Sequence, residues 1–323
     1  MRRRRWIGWL ALGAVAALAL SAGTAAAAVR LNAPFASITV DGRTGDWASV
    51  PAQTVKLEQI KPGAGLDFKP LPAVNASVRV AVDAQRIYVL LEVADDFDYV
   101  PTNHDLSSAV AVMFRIDAAA PPHMGAKEET QKTSLGMVDI WHWELDCGAG
   151  AMSGQVTGGT SGNDTPCNFD DEYATTPEDR EDDGKENSLA GVWEHTGRVL
   201  GTGGTGTWIF EMSRRLSTGE SQDAQFTLGG TAYMALAYWD ADEQLGTGWS
   251  DAGHLTSANA DWIEVALAAG QAPAPGALPA TGSGGLLPQS QGDGPFSALW
   301  PFILAGGIAL FIGSSLVWRL RRQ

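Results

Sequence analysis

Through the middle of this 323-residue chain the apolar positions fall on every second residue. In SVRVAVD, Val78, Val80 and Val82 share one face, and in IYVLLEV the same holds for Ile87, Val89, Leu91 and Val93. Successive side chains of an extended strand point to opposite sides, so this alternation predicts half-buried strands. The DAQ between the two runs supplies the turn of a hairpin. AVAVMFRID, VDIWHWELD, TWIFEMSRRL, TAYMALAYWD and DWIEVAL repeat the character, separated by Gly, Asp and Pro clusters. Helical spacing is scarce and no internal repeat stands out. The pattern predicts an all-β fold, an antiparallel β-sandwich.

Two segments break the alternation and read as membrane-directed. Residues 1–28 carry four arginines, an apolar run from Trp6 to Leu20 and an Ala-x-Ala exit, the layout of a secretory signal peptide. Phe296 to Trp318 runs without a charge for long enough to span a bilayer, and the arginines of residues 319–323 place that end in the cytoplasm. Residues 271–295, rich in Gly, Pro and Ser, form a linker that cannot bury a core. Within it LPATG, Leu278 to Gly282, looks like a sortase sorting signal of Gram-positive cell walls, set further from the apolar run than is usual there. Residues 29–270 are then an extracytoplasmic domain, tethered to the membrane by the C-terminal helix.

Charge narrows the partners of that domain. The chain carries −15; setting aside seven terminal arginines and Asp293 leaves −21 on residues 29–270. Such a surface repels nucleic acid and anionic lipid and suits a basic protein partner. Cys147 and Cys167 are the only cysteines; in an exported chain they are expected to pair as a disulfide. They fit neither covalent haem attachment nor a cysteine zinc site. Residues 148–187 are too polar for a strand pair and read as a long surface excursion. Asp170, Asp171, Glu172, Asp182 and Asp183 within it read as a solvated acidic loop, with calcium binding as the alternative.

Motifs for hydrolytic, phosphate-binding or dinucleotide chemistry are missing from the sequence: no G-x-S-x-G, H-E-x-x-H, P-loop or G-x-G-x-x-G in context. What the chain does contain is ITVDGRTGDWASVPAQTVKL, then HMG followed by VDIWHWELD, GTWIFEMSRRLST, AYWDADE and GWSDAGHLTS. Together, over about Ile38 to Leu267, these resemble the haem-binding domain of the ethylbenzene dehydrogenase gamma subunit and its relatives, which partner molybdenum enzymes of the dimethyl sulfoxide reductase class. VDGRTGDW alone is shared with family 9 carbohydrate-binding modules, so a surface carbohydrate-binding module using exposed tryptophans is the alternative function. The resemblance implies an immunoglobulin-like sandwich, one non-covalent haem b with methionine and lysine axial ligands, and an electron-transfer rather than enzymatic role beside a redox protein such as a molybdoenzyme or cytochrome.

Matching HMG to the family places its methionine on Met124, where Pro121 and Pro122 restrict the loop. Thioether sulfur favours ferrous iron and raises the reduction potential. The expected lysine is absent: between Trp239 and Trp262 there is none, and His254 is the strong ligand type there. A Met124/His254 pair is the resulting expectation. His123, adjacent to Met124, cannot easily reach the opposite face of one macrocycle and is expected at a propionate or in solvent. In an extended VDIWHWELD, Trp141 and Trp143 point one way, as walls of a haem pocket or as core, while His142 points the other way with Val138 and Ile140. His142 is a weaker ligand candidate, set against a hydrogen-bonded structural role. His104 and His195 lie in turn-rich stretches and rank lower still.

Overall fold

A computed structural model describes residues 29–270 apart from 61–69, 101–102, 129, 146–154, 160–168, 183–186, 199–202, 243–247, 249–252 and 260. The signal segment, the linker with Leu278 to Gly282, the apolar run 296–318, Cys147, Cys167 and Asp183 lie outside the described residues. Contacts along the chain separate Met1–Ala272 from Pro273–Gln323, and all the described residues belong to the first unit. No helix among them is long and apolar enough to cross a membrane.

Among the described residues the chain forms fourteen strands and is all-β. They are β1 (Arg30–Ala33), β2 (Gln53–Gln59), β3 (Val74–Val82), β4 (Arg86–Asp95), β5 (Ala109–Arg115), β6 (Val138–Trp143) and β7 (Gln155–Gly159), then β8 (Phe169–Ala174), β9 (Glu181–Asp182), β10 (Asn187–His195), β11 (Gly206–Arg215), β12 (Thr231–Trp239), β13 (Leu255–Thr256) and β14 (Ile263–Leu267). One half-sheet runs β7-β10-β11-β4-β3-β2 and the other β13-β12-β5-β6-β8-β9, joined where β2 meets β13. β14 pairs with β12 and, in the parallel sense, with β1; every other strand ladder is antiparallel. The halves face each other: the Trp143 ring on β6 lies 6.0 Å from Phe210 on β11. They approach so closely at β10 that a Cβ on Gly191 would sit 2.7 Å from the Trp143 ring. The antiparallel β-sandwich read from the alternation is therefore the observed architecture.

The alternating runs build its core. Val78, Val80 and Val82 and their hairpin partners Val89 and Leu91 are fully buried, pointing inward against Val112, Trp141 and Leu236 of the other half. Apolar burial of this kind contributes roughly 1.5–3 kcal/mol per large side chain. A small second cluster on the outer side of β3 and β4 explains VDGRTGDW. Trp47 is fully buried there and its indole N–H donates to Glu211 Oε1 at 2.7 Å, while Asp41 and Gly42 N–H both donate to Glu211 Oε2 at 2.8 Å. The motif is a clasp that ties the N-terminal loop to β11. Glu211→Gln would put an amide donor against two backbone donors, and is expected to cost about 2 kcal/mol in denaturant unfolding; a loss below ~0.5 kcal/mol would contradict the clasp.

Residues 148–187 are not a continuous surface excursion, because they contain β7, β8 and β9. β8 is inserted between β6 and β9, and Asp170, Asp171 and Glu172 are buried in it rather than solvated. A carboxylate-rich strand is tolerated because its charges meet cations from distant elements, which the local sequence does not display.

Candidate functional site

The outer face of the second half-sheet is paved with small residues. β5 presents Ala109, Ala111 and Met113, and β12 presents Ala235 and Ala237 beside Trp239. Ala111 stands opposite both His142 on β6 and Ala237 on β12, and Trp239 stands opposite Ala109. Because β5 offers only methyl groups there, the Trp239 ring extends across it. Its centroid lies 4.9 Å from that of His142 on one side and 4.8 Å from that of His254 on the other. Both imidazoles and the indole are buried.

A loop between β5 and β6 covers this shelf. Trp262 pins it by donating its indole N–H to Ala120 O at 2.9 Å. The turn then closes through Gly125 N–H to Pro121 O (3.2 Å) and Ala126 N–H to His123 O (3.0 Å). Met124 packs on the apolar shelf with its backbone held at φ 51°, a left-handed conformation unusual outside glycine. Gly125 follows at φ 77°, and a Cβ there would lie 2.0 Å from Gly136 O. The Met-Gly pair is thus dictated by a tight turn that fixes the methionine against the sheet.

His142 carries the polar chemistry of the face. Its Nδ1 lies 3.4 Å from Glu172 Oε1 and 3.3 Å from Arg180 Nη1, with Glu144 Oε1 at 3.7 Å. Arg180 Nε is in turn 3.6 Å from Glu172 Oε2. Its Nε2 is buried and makes no hydrogen bond. Burial alone would depress the His142 pKa, but the charge and hydrogen bond of Glu172 outweigh it and raise the value above the ordinary imidazole range. The Glu172 carboxyl is lowered in return, burial being overcome by His142 and Arg180.

The other expected residues separate from this group. Trp141 and Trp143 lie on the opposite side of β6, in the core between the half-sheets, where Trp143 stacks on Phe169 at 4.3 Å and Trp141 packs on Phe114 at 4.9 Å. They are core residues and not walls of the face that holds Met124, His142 and His254. His123 is buried, with Nε2 3.9 Å from Glu128 Oε2, which corrects its placement in solvent. His104 is half-exposed between Asp105 (3.1 Å) and Glu144 (3.7 Å). His195 is a satisfied structural histidine: Gly197 N–H donates to its Nδ1 at 3.0 Å, leaving Nε2–H to donate to Asp95 O at 3.2 Å. The calcium alternative for the acidic stretch also fails for Asp171 and Glu172, which are committed to Arg214 and to His142 with Arg180.

Arg214 is the residue that reading the chain missed. Fully buried on β11, it meets Asp139, Asp171 and Asp223; its Nη1 lies 3.0, 3.2 and 3.1 Å from their respective oxygens, and its Nη2 bonds Asp139 again. Nη2 also donates to Ala224 O at 3.1 Å. The only local signal was an arginine in an inward register after Trp208, Phe210 and Met212. The three carboxyl groups surround one guanidinium, a single positive charge among three acids.

No protein-family model matches the chain, and no curated protein matches it. Among solved structures it is similar to a family 9 carbohydrate-binding module from Caldicellulosiruptor kristjanssonii in complex with cellotriose, at 12% identity over 75% of this chain and 95% of that chain, TM-score 0.40. The same module in complex with glucose gives 12% identity over 75% and 97%, TM-score 0.38. A protein of Bacteroides uniformis assigned to carbohydrate binding gives 8% identity over 74% and 99%, TM-score 0.40. Likeness this distant carries no function across.

Proposed function

We propose that this protein is an extracytoplasmic, membrane-tethered haem b protein that passes single electrons between a redox partner, such as a molybdoenzyme or cytochrome, and an acceptor. The immunoglobulin-like form of the sandwich and the absence of catalysis belong to the same proposal. The observation that carries it is a single buried apolar face against which Met124 packs and on which the His142 and His254 rings lie against Trp239. That donor set suits a porphyrin iron: soft sulfur and imidazole nitrogen on low-dielectric ground. Haem b, when bound, supplies a one-electron iron couple.

The chain's own residues do the remaining work. The turn at Gly125 holds Met124 against the sheet, and the short alanine side chains of β5 and β12 leave room that the Trp239 ring takes beside His142 and His254. The acidic surface favours a basic partner. Carbohydrate binding is the competing reading. It calls for exposed aromatic platforms, and the seven tryptophans among the described residues are all buried.

Titrating the full-length protein with hemin tests the choice. Uptake of one equivalent, with a Soret band and a b-type α band on reduction, is expected, and Met124→Ala is expected to lose the low-spin spectrum. A protein that stays colourless in excess hemin but releases heat on titration with cellotriose or glucose would overturn the proposal in favour of the carbohydrate reading.

A further inference from the structure

We infer that the strap between β5 and β6, residues 118–128 and 130–136, is a hinged lid whose opening admits a ligand to the buried outer face of the second half-sheet; that the ligand is haem rests on the reading above. The face is shut in this structure. Ala120 and Met124 of the strap pack into the apolar cluster that holds Met113, Ile140 and Trp239, and the His142 and His254 rings are buried against Trp239. A flat ligand reaches these groups only after a covering element moves. The strap is closed on itself. At its neck Ile116 and Asp117 N–H donate to Met137 O at 3.2 and 3.1 Å, and Met137 N–H donates to Asp117 Oδ2 at 2.8 Å. Further out, Lys127 N–H donates to Thr133 O and Leu135 N–H to Gly125 O, both at 2.8 Å. Among the described residues the strap's backbone-to-backbone hydrogen bonds run within it or to Asp117 at the neck, so swinging out keeps them. Trp262 pins the strap from the body of the domain by donating its indole N–H to Ala120 O at 2.9 Å. Lys132 Nζ lies 2.7 Å from Glu178 Oε1, but these side chains are 69% and 62% exposed, and a pair so exposed holds little. Met124 packs at a cost: its φ of 51° is a left-handed backbone that strains residues other than glycine, and such strain gathers at switching segments. A loop bonded so largely to itself opens at a lower free energy than the sandwich unfolds.

Thiol labelling and stopped-flow hemin uptake, both on the full-length protein, test the lid. Ala120→Cys puts a small reporter on the buried side of the strap, and Ala76→Cys puts one in the core between the half-sheets. Above the wild-type background, the cysteine at 120 is expected to label in native buffer about tenfold faster than the one at 76, because local opening is commoner than unfolding. Adding Trp262→Phe removes the hydrogen bond to Ala120 O and is expected to speed labelling at 120 about fivefold, with no matching change at 76. The rate of hemin uptake is expected to level off as hemin is raised, at a ceiling set by opening, and that ceiling should rise in Trp262→Phe; this arm decides the matter if Ala120→Cys does not fold. Equal labelling at the two positions overturns the lid, as does an uptake rate that stays proportional to hemin and is unaltered by Trp262→Phe. Fast labelling at 120 in a protein that takes up no hemin overturns the haem reading and leaves the lid standing.

Discussion

Arg214→Met is expected to destabilise the domain by about 3–5 kcal/mol, enough to leave much of it unfolded at moderate temperature. Arg214 and Asp139 are fully buried, and Asp171 and Asp223 nearly so. Methionine fills similar space and packs well on Trp141 and Phe226, whose rings lie 5.2 and 5.9 Å from the guanidinium carbon. The cost therefore reports electrostatics: the buried aspartates lose the one guanidinium that meets them among the described residues, and several hydrogen bonds at once. Arg214→Lys keeps the charge but not the two-pronged bond to Asp139, and should fall between wild type and Arg214→Met. Denaturant unfolding of the three proteins measures the order. If Arg214→Met loses less than about 1 kcal/mol, the cluster is not the electrostatic hub described above.

Raising the pH from 5.5 to 8 is expected to weaken the fold, by on the order of 3 kcal/mol. One guanidinium cannot neutralise three buried carboxylates. Burial pushes the Asp171 carboxyl up to about 8, against the pull of Arg214 and with the repulsion of Asp139 and Asp223 added; Asp139 rises to about 6. At the end of β4, burial lifts Asp95 to about 7 despite its hydrogen bond from Tyr238, and lifts Asp98 to about 6 beside Asp96 and Asp242. In the unfolded chain these groups lose their protons near pH 4, whereas the folded protein keeps them. The folded state therefore binds more protons across this window, and stability declines as pH rises through the folded values. Two histidines act in opposite senses. His195, lowered by burial, contributes stability that is lost on acidification below the ordinary imidazole value; His142, raised, contributes stability that is lost as pH rises through its folded value. Thermal melting in buffers from pH 5.5 to 8 tests the sum, and a melting temperature that climbs over that range would contradict it.

Period-two alternation exposed β3, β4, β5, β6, β11, β12 and β14 because an inward-facing strand residue is apolar whatever it packs against. It also placed His142 correctly on the face away from Trp141 and Trp143. It failed for FDDEYA, since β8 buries charge, and charge buried against a partner looks locally identical to charge in water. Asp171 answers to Arg214, 43 residues away, and Asp139 answers to it across 75.

The chain by itself determined the class of fold, the all-β alternation and the inward or outward sense of each apolar strand, because these follow from backbone geometry and from the preference of apolar groups for leaving water. It also supplied the Met-Gly pair and the histidines as chemistry. Only the tertiary structure decided which of them share a surface: Ala109 and Ala111 on β5 let Trp239 from β12 lie between His254 and His142, the latter on β6 far earlier in the chain. Strand pairing sets that proximity, and pairing is a long-range choice made by the whole sandwich, so no window along the sequence contains it.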